Sequence, residues 1–257
     1  MRNITKLTML IVFLLPISCY CINCCVKSEK KVTFSELAHI DTGGEAFKLD
    51  VVGNYAYVSD TADINPGGLV TIDISNSTNP IKCSSYFDGG YPQTLSIVDE
   101  IAYIAEWTDG LEIINVTDPH NPIKISNFYD GGMASNVKII GDIAYIADFS
   151  DGLEIINVSN PSNPFQIRQY NPNYLCCPSF CINGSIAVLI NHFSDYSGTV
   201  IIDISNLNHI VELGSYYPHD ADFIYPNIHG NYVYIANHAA DTGELRVLDI
   251  SDPSNII

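Results

Sequence analysis

Positive charge is scarce in this chain. Eleven Lys and Arg stand against 29 Asp and Glu, giving a net charge of −18 at pH 7. No basic stripe is present to neutralise phosphates, so no nucleic acid partner is expected, and no membrane contact except through the N-terminal segment. Tryptophan is scarcer still: one residue, Trp107, against 16 Tyr. A nucleophile motif, a glycine-rich phosphate loop and a zinc-binding helix are all missing, which leaves three common catalytic chemistries without a signature. After the first 26 residues no apolar run is long enough to cross a bilayer. Cysteine gives no framework either. Cys19, Cys21, Cys24 and Cys25 crowd the leader, while Cys83, Cys176, Cys177 and Cys181 lie in the body at spacings that match no paired metal-ligand pattern. Buried free thiols or one local disulfide are the expected states of those four.

The N-terminus reads as a separate object. Arg2 and Lys6 precede the apolar stretch Leu7 to Ile17, followed by Ser18 and Cys19. A charged start, a short apolar segment and a small residue resemble an export signal. Leu15-Pro16-Ile17-Ser18-Cys19 also resembles a bacterial lipobox, with Cys19 as the acylation candidate and Pro16 as the departure from that pattern. Residues 1–25 are therefore expected to be a signal peptide or a membrane or lipid anchor. Residues 26–257 then form a domain that is secreted or tethered to the outer side of the cytoplasmic membrane.

What the body holds is a repeat. Ala56-Tyr57-Val58, Ala102-Tyr103-Ile104, Ala144-Tyr145-Ile146, Ala187-Val188-Leu189 and Val233-Tyr234-Ile235 recur every 42 to 46 residues. A second marker, Ile72-Asp73-Ile74-Ser75 with its counterparts at Ile114, Ile156, Ile202 and Leu248, keeps nearly the same period. Two markers repeated five times exclude coincidence. Within the third unit, Asn136 to Ile140, Ile143 to Ala147, Leu153 to Val158 and Phe165 to Tyr170 are strand-sized runs. Gly141-Asp142, Asp151-Gly152 and Asn160-Pro161 punctuate them. Four such strands cannot bury two apolar faces alone, and packing the units radially around an axis solves that problem. The expected fold is an all-β, five-bladed β-propeller of four-stranded antiparallel blades. The last repeat stops at Ile257, where its fourth strand is due, and Val32 to Ile40 aligns with a fourth strand. That N-terminal strand is expected to complete the last blade.

Strand C carries a family likeness. Leu69-Val70-Thr71-Ile72-Asp73, Leu111-Glu112-Ile113-Ile114-Asn115, Leu153-Glu154-Ile155-Ile156-Asn157, Val200-Ile201-Ile202-Asp203 and Leu245-Arg246-Val247-Leu248-Asp249 resemble the repeats of the LVIVD-repeat family of extracytoplasmic propellers. The resemblance implies the propeller fold, export and surface or binding roles, with no shared catalytic set to carry over. Asn at positions 115 and 157 where the pattern has Asp argues for a turn hydrogen bond rather than metal ligation. The tryptophan-aspartate propeller signature is absent.

Length variation between the two markers falls on the B–C loops, and variable loops on one rim mark a binding face. That rim is expected to gather Asp60, Glu106, Trp107, Asp148, Phe149, His192 and His238, with His219 and Asp220 from a D–A turn. Oxygen-rich clusters suit Ca²⁺, yet no spacing reproduces a recognised calcium loop, so no cofactor is assigned. The resulting expectation is a monomeric, non-catalytic binding, adhesion or protein-interaction scaffold using the acidic face, with a surface protein or glycan as ligand. The rival is an extracytoplasmic hydrolase or lyase using histidine and carboxylate groups on the same face.

Overall fold

Five times over, a two-residue turn folds one strand back on its predecessor. Gly53, Gly141, Gly184 and Gly230 open four of these turns at φ between +57 and +61°, a region an L side chain resists. In the second unit Asp99 and Glu100 take the same place at φ of 49° and 62°. The computed structural model describes residues 35–61, 67–171, 176–193, 196–218, 223–239 and 242–252. Leu37–Ile257 is one compact unit, distinct from Met1–Glu36. The leader with Cys19 lies outside the described residues, and among those described no helix is long and apolar enough to cross a membrane.

Each turn sits inside a small antiparallel sheet. Blade 1 runs β1 (Glu45–Val52), β2 (Tyr55–Thr61), β3 (Gly67–Asp73), β4 (Ile81–Gly90), and blade 2 runs β5 (Thr94–Val98), β6 (Ile101–Glu106), β7 (Gly110–Asn115), β8 (Ile123–Phe128). Blade 3 is β9 (Ala134–Ile140) to β12 (Phe165–Tyr170), with β10 (Ile143–Asp148) and β11 (Gly152–Asn157) between them. Blade 4 is β13 (Phe180–Asn183), β14 (Ile186–Phe193), β15 (Tyr196–Asp203) and β16 (Val211–Tyr216). Blade 5 has three described strands, β17 (Phe223–His229), β18 (Tyr232–Ala239) and β19 (Thr242–Asp249). The architecture is the expected all-β propeller of five blades.

Local chemistry explains the regularity. At the end of every third strand an Asp or Asn side chain accepts a backbone N–H two residues on. The pairs are Asp73 with Ser75 (2.8 Å), Asn115 with Thr117 (2.9 Å), Asn157 with Ser159 (3.1 Å), Asp203 with Ser205 (2.8 Å) and Asp249 with Ser251 (2.9 Å). The acceptor oxygen is what the turn needs, so Asp and Asn interchange here.

The core lies in the seams between blades. Side chains alternate across a strand, so each third strand serves two seams. Leu111 and Ile113 pack with Ala134, Val137, Ile146 and Ile156 of blade 3, whereas Ile114 packs with Tyr57 and Leu69 of blade 1. Full burial of each such aliphatic side chain is worth about 1.5–3 kcal/mol.

Among the described residues blade 5 has three strands and residues 35–40 carry none; the start of the segment expected to complete that blade, residues 32–34, lies outside the described residues, and closure of the ring by it is not shown. Ile40 packs on the face of blade 1 formed by Ala56, Val58, Val70 and Ile72, an apolar surface that offers it burial. On β19, Leu245 and Val247 are 68% and 47% exposed, whereas Leu69, Leu111 and Leu153 at the position of Leu245 are fully buried.

Candidate functional site

Equivalent positions near the end of the second strand carry a polar residue in each blade: Asp60, Glu106, Asp148, Asn191 and Asn237. The sequence suggests a solvent-facing rim for them, but Asp60, Glu106 and Asp148 are buried, with 0%, 1% and 2% of their surface exposed. Strand parity is the reason: these residues share a face with Ile104 and Ile146 and so point into the seam with the preceding blade. Glycines make the room. A Cβ at Gly90 would overlap the Glu106 carboxylate, and one at Gly132 would overlap that of Asp148.

In the seam between blades 1 and 2, Asp88, Glu106 and Glu112 each bring a carboxylate oxygen within 4.8 Å of the others. Lys124 reaches in from β8, its Nζ 3.0 Å from Asp88 Oδ2 and 2.9 Å from Glu112 Oε1. The Tyr86 hydroxyl donates to Glu112 Oε1 at 3.4 Å. Two buried oxygens, Glu106 Oε1 and Glu112 Oε2, have no hydrogen-bond partner. Burial first, and then the facing charges of Glu112 and Asp88, push Glu106 far above the usual carboxylate range. Burial also raises Glu112, with a hydrogen bond to Asp88 adding to it and Lys124 pulling back. Burial pushes Tyr86 up to about 12, with the nearby Glu112 charge adding to the shift.

The next seam repeats the design with two changes. Asp130, Asp151 and Glu154 cluster within 4.8 Å, Asp151 standing in for Asp148, the counterpart of Glu106, and Gln166 stands where Lys124 stands in blade 2. Its amide nitrogen lies 3.3 Å from Asp130 Oδ2 and 3.5 Å from Glu154 Oε1. Burial and then Asp130, Asp148 and Asp151 push Glu154 up to about 10. Asp148 is held differently, because its Oδ1 accepts the N–H groups of Ser150 (2.8 Å) and Asp151 (2.9 Å) and so closes the loop. In blades 4 and 5, Val200 and Arg246 occupy the place of Glu112, and the carboxylate cluster is not repeated among the described residues.

Above the buried carboxylates lies an aromatic surface. Trp107 follows Glu106 at φ of 27°, and its carbonyl accepts the Ala134 N–H at 2.9 Å, fixing it to blade 3. Its ring centroid is 5.5 Å from that of Phe149, tilted by 51°. Tyr91, Gln93 and Trp107 line an open depression of about 300 Å³. Tyr91 directly follows Gly90, so two walls of the depression are sequence neighbours of the first carboxylate cluster.

The structure thus joins Glu106 with Trp107, and Asp148 with Phe149, on adjacent blades. His192 is exposed on β14 of blade 4. His238 lies on β18 opposite Gly243, while His219 and Asp220 lie outside the described residues. Cys83, Cys176, Cys177 and Cys181 are free thiols, and burial pushes Cys181 up to about 12. Sequence reasoning missed Glu112 and Glu154. The signal was there: each is a charge inside an otherwise apolar third strand, at a position filled by Val70 and Val200 elsewhere.

A family model described as LVIVD repeat matches residues 43–88, 89–130, 131–172, 195–217 and 227–257. No curated protein matches the chain. Among solved structures, the computationally designed Ika8 protein superposes with a TM-score of 0.62 at 10% identity, over 82% of this chain and 60% of that one. At that identity the likeness speaks for the fold alone, and this chain spans about 60% of that protein's length.

Proposed function

The chain belongs to the LVIVD-repeat family, and on that scaffold we propose a non-catalytic extracytoplasmic binding module that engages a surface glycan or surface protein at the rim of blades 1 to 3. The observation that carries this reading is the depression walled by Tyr91, Gln93 and Trp107, with the Phe149 ring tilted against Trp107 beside it. Aromatic rings give large contact area at little cost in side-chain entropy, and the Gln93 amide offers a directional hydrogen bond at the edge. Tyr91 is 61% exposed, so apolar ring surface is left for a ligand to cover. The net charge of −18 favours partners that are neutral or basic. The leader at residues 1–25 supports export, as a signal or as an anchor through Cys19.

Trp107 is the sole tryptophan, so its fluorescence reports on this depression directly. The test is a titration of the full chain with neutral oligosaccharides and with basic peptides. A saturable change in Trp107 emission is expected, weakened about tenfold or more by Phe149→Ala or Tyr91→Ala, in line with loss of an aromatic hot spot. Ligand capture that persists undiminished in Trp107→Ala, Tyr91→Ala and Phe149→Ala would place binding elsewhere and refute the reading.

A further inference from the structure

We propose that Asp88, Glu106 and Glu112 form a site for one divalent, oxygen-liganded cation of the Ca²⁺ type, buried in the seam between blades 1 and 2. Three carboxylates converge there within 4.8 Å of one another. Lys124 is the cationic side chain that pairs with them, through Asp88 and Glu112. With all three carboxylates ionised, the Lys124 ammonium leaves two negative charges, the charge a divalent ion cancels.

A further observation points to a ligand rather than to a self-contained ion cluster. Glu106 and Glu112 are each 99% buried by exposure of 1%, yet Glu106 Oε1 and Glu112 Oε2 lack any hydrogen-bond partner. A buried carboxylate oxygen left unpaired is costly, and hard cations take such oxygens readily. The missing side chain of Gly90 opens the space that the Glu106 carboxylate fills and so brings it beside Asp88. The two negative residues of the sister seam that face Gln166 have no such unpartnered oxygens, which is why the first seam is assigned and the second is not.

Terbium, a luminescent stand-in for Ca²⁺, tests the site because Trp107 is the residue next to Glu106 and sensitises terbium emission at close range. Full-length protein titrated with terbium at fixed ionic strength is expected to give saturable Trp-excited emission that Ca²⁺ competes away. Glu106→Gln, which preserves shape and removes charge, is expected to raise the half-saturating concentration about tenfold or more, a typical scale for a damaged metal site. Glu112→Gln gives the same reading should Glu106→Gln fail to fold. Glu154→Gln, in the sister seam, is expected to leave the titration unchanged. The assignment is overturned by either of two results: no saturable emission up to millimolar terbium, or a half-saturating concentration unchanged in both Glu106→Gln and Glu112→Gln.

Discussion

Glu154 makes the protein's stability depend on pH, and the size of that dependence can be worked from the seam. The carboxyl is 3% exposed, faces Asp130, Asp148 and Asp151, and has the Gln166 amide 3.5 Å from its Oε1. Its value rises from 4.5 to about 10 on folding, burial being the main cause. A native value above the unfolded one means the native state holds the extra proton. The stabilisation is complete below pH 4.5 and is lost as pH climbs toward 10. The limiting slope is about 1.4 kcal/mol per pH unit, or roughly 4 kcal/mol between pH 5 and 8. Water entry and rearrangement of the facing carboxylates reduce this to about 1–3 kcal/mol. Glu154→Gln fills the same space with a group that stays neutral. Urea unfolding in the presence of chelator, followed by Trp107 emission at pH 5, 6, 7 and 8, is the assay. The variant is expected to match the wild type near pH 5 and to exceed it by about 1–3 kcal/mol at pH 8. Parallel stability profiles for the two proteins would show that Glu154 titrates normally and would refute the reasoning.

Three other outcomes follow from the packing. Replacing Asp99-Glu100 by Asn-Gly relieves two residues held at φ of 49° and 62°; about 1 kcal/mol of added stability is expected by chemical denaturation. Gly110 sits at φ of 78°, and a Cβ there would overlap the Phe128 carbonyl oxygen. Gly110→Ala is therefore expected to cost about 2 kcal/mol or more, read as a lower urea midpoint at unchanged m-value. Leu111 is fully buried and Leu245, its counterpart in blade 5, is 68% exposed. Leu111→Ala is expected to cost about 2–5 kcal/mol and Leu245→Ala within about 0.5 kcal/mol. A comparable loss at Leu245 would mean that the outer face of blade 5 is covered in solution.

The fold was legible because the repeat forces it. A third strand that is apolar on both faces has to be covered twice, and radial packing is the economical way to cover five of them. The Asp-or-Asn alternation at positions 73, 115, 157, 203 and 249 also announced its role, since all five accept the same turn hydrogen bond. The site was half legible. Glu106 and Asp148 stood out as polar ends of second strands, but which side of the sheet they face depends on register, and a shift of one residue exchanges rim for seam. Glu112 and Glu154 went unremarked because one charge does little to the apolar character of a whole strand, although it decides the electrostatics of the seam. The pairing of Lys124 with one cluster and Gln166 with the other needed coordinates, since both lie at the second position of an exposed fourth strand where either residue is ordinary. What separates the two seams is therefore two positions, Glu106 against Asp148 and Lys124 against Gln166. Lys124 gives the first cluster a fixed positive charge and leaves two oxygens unfilled, whereas Gln166 leaves the second to be neutralised by a proton on Glu154.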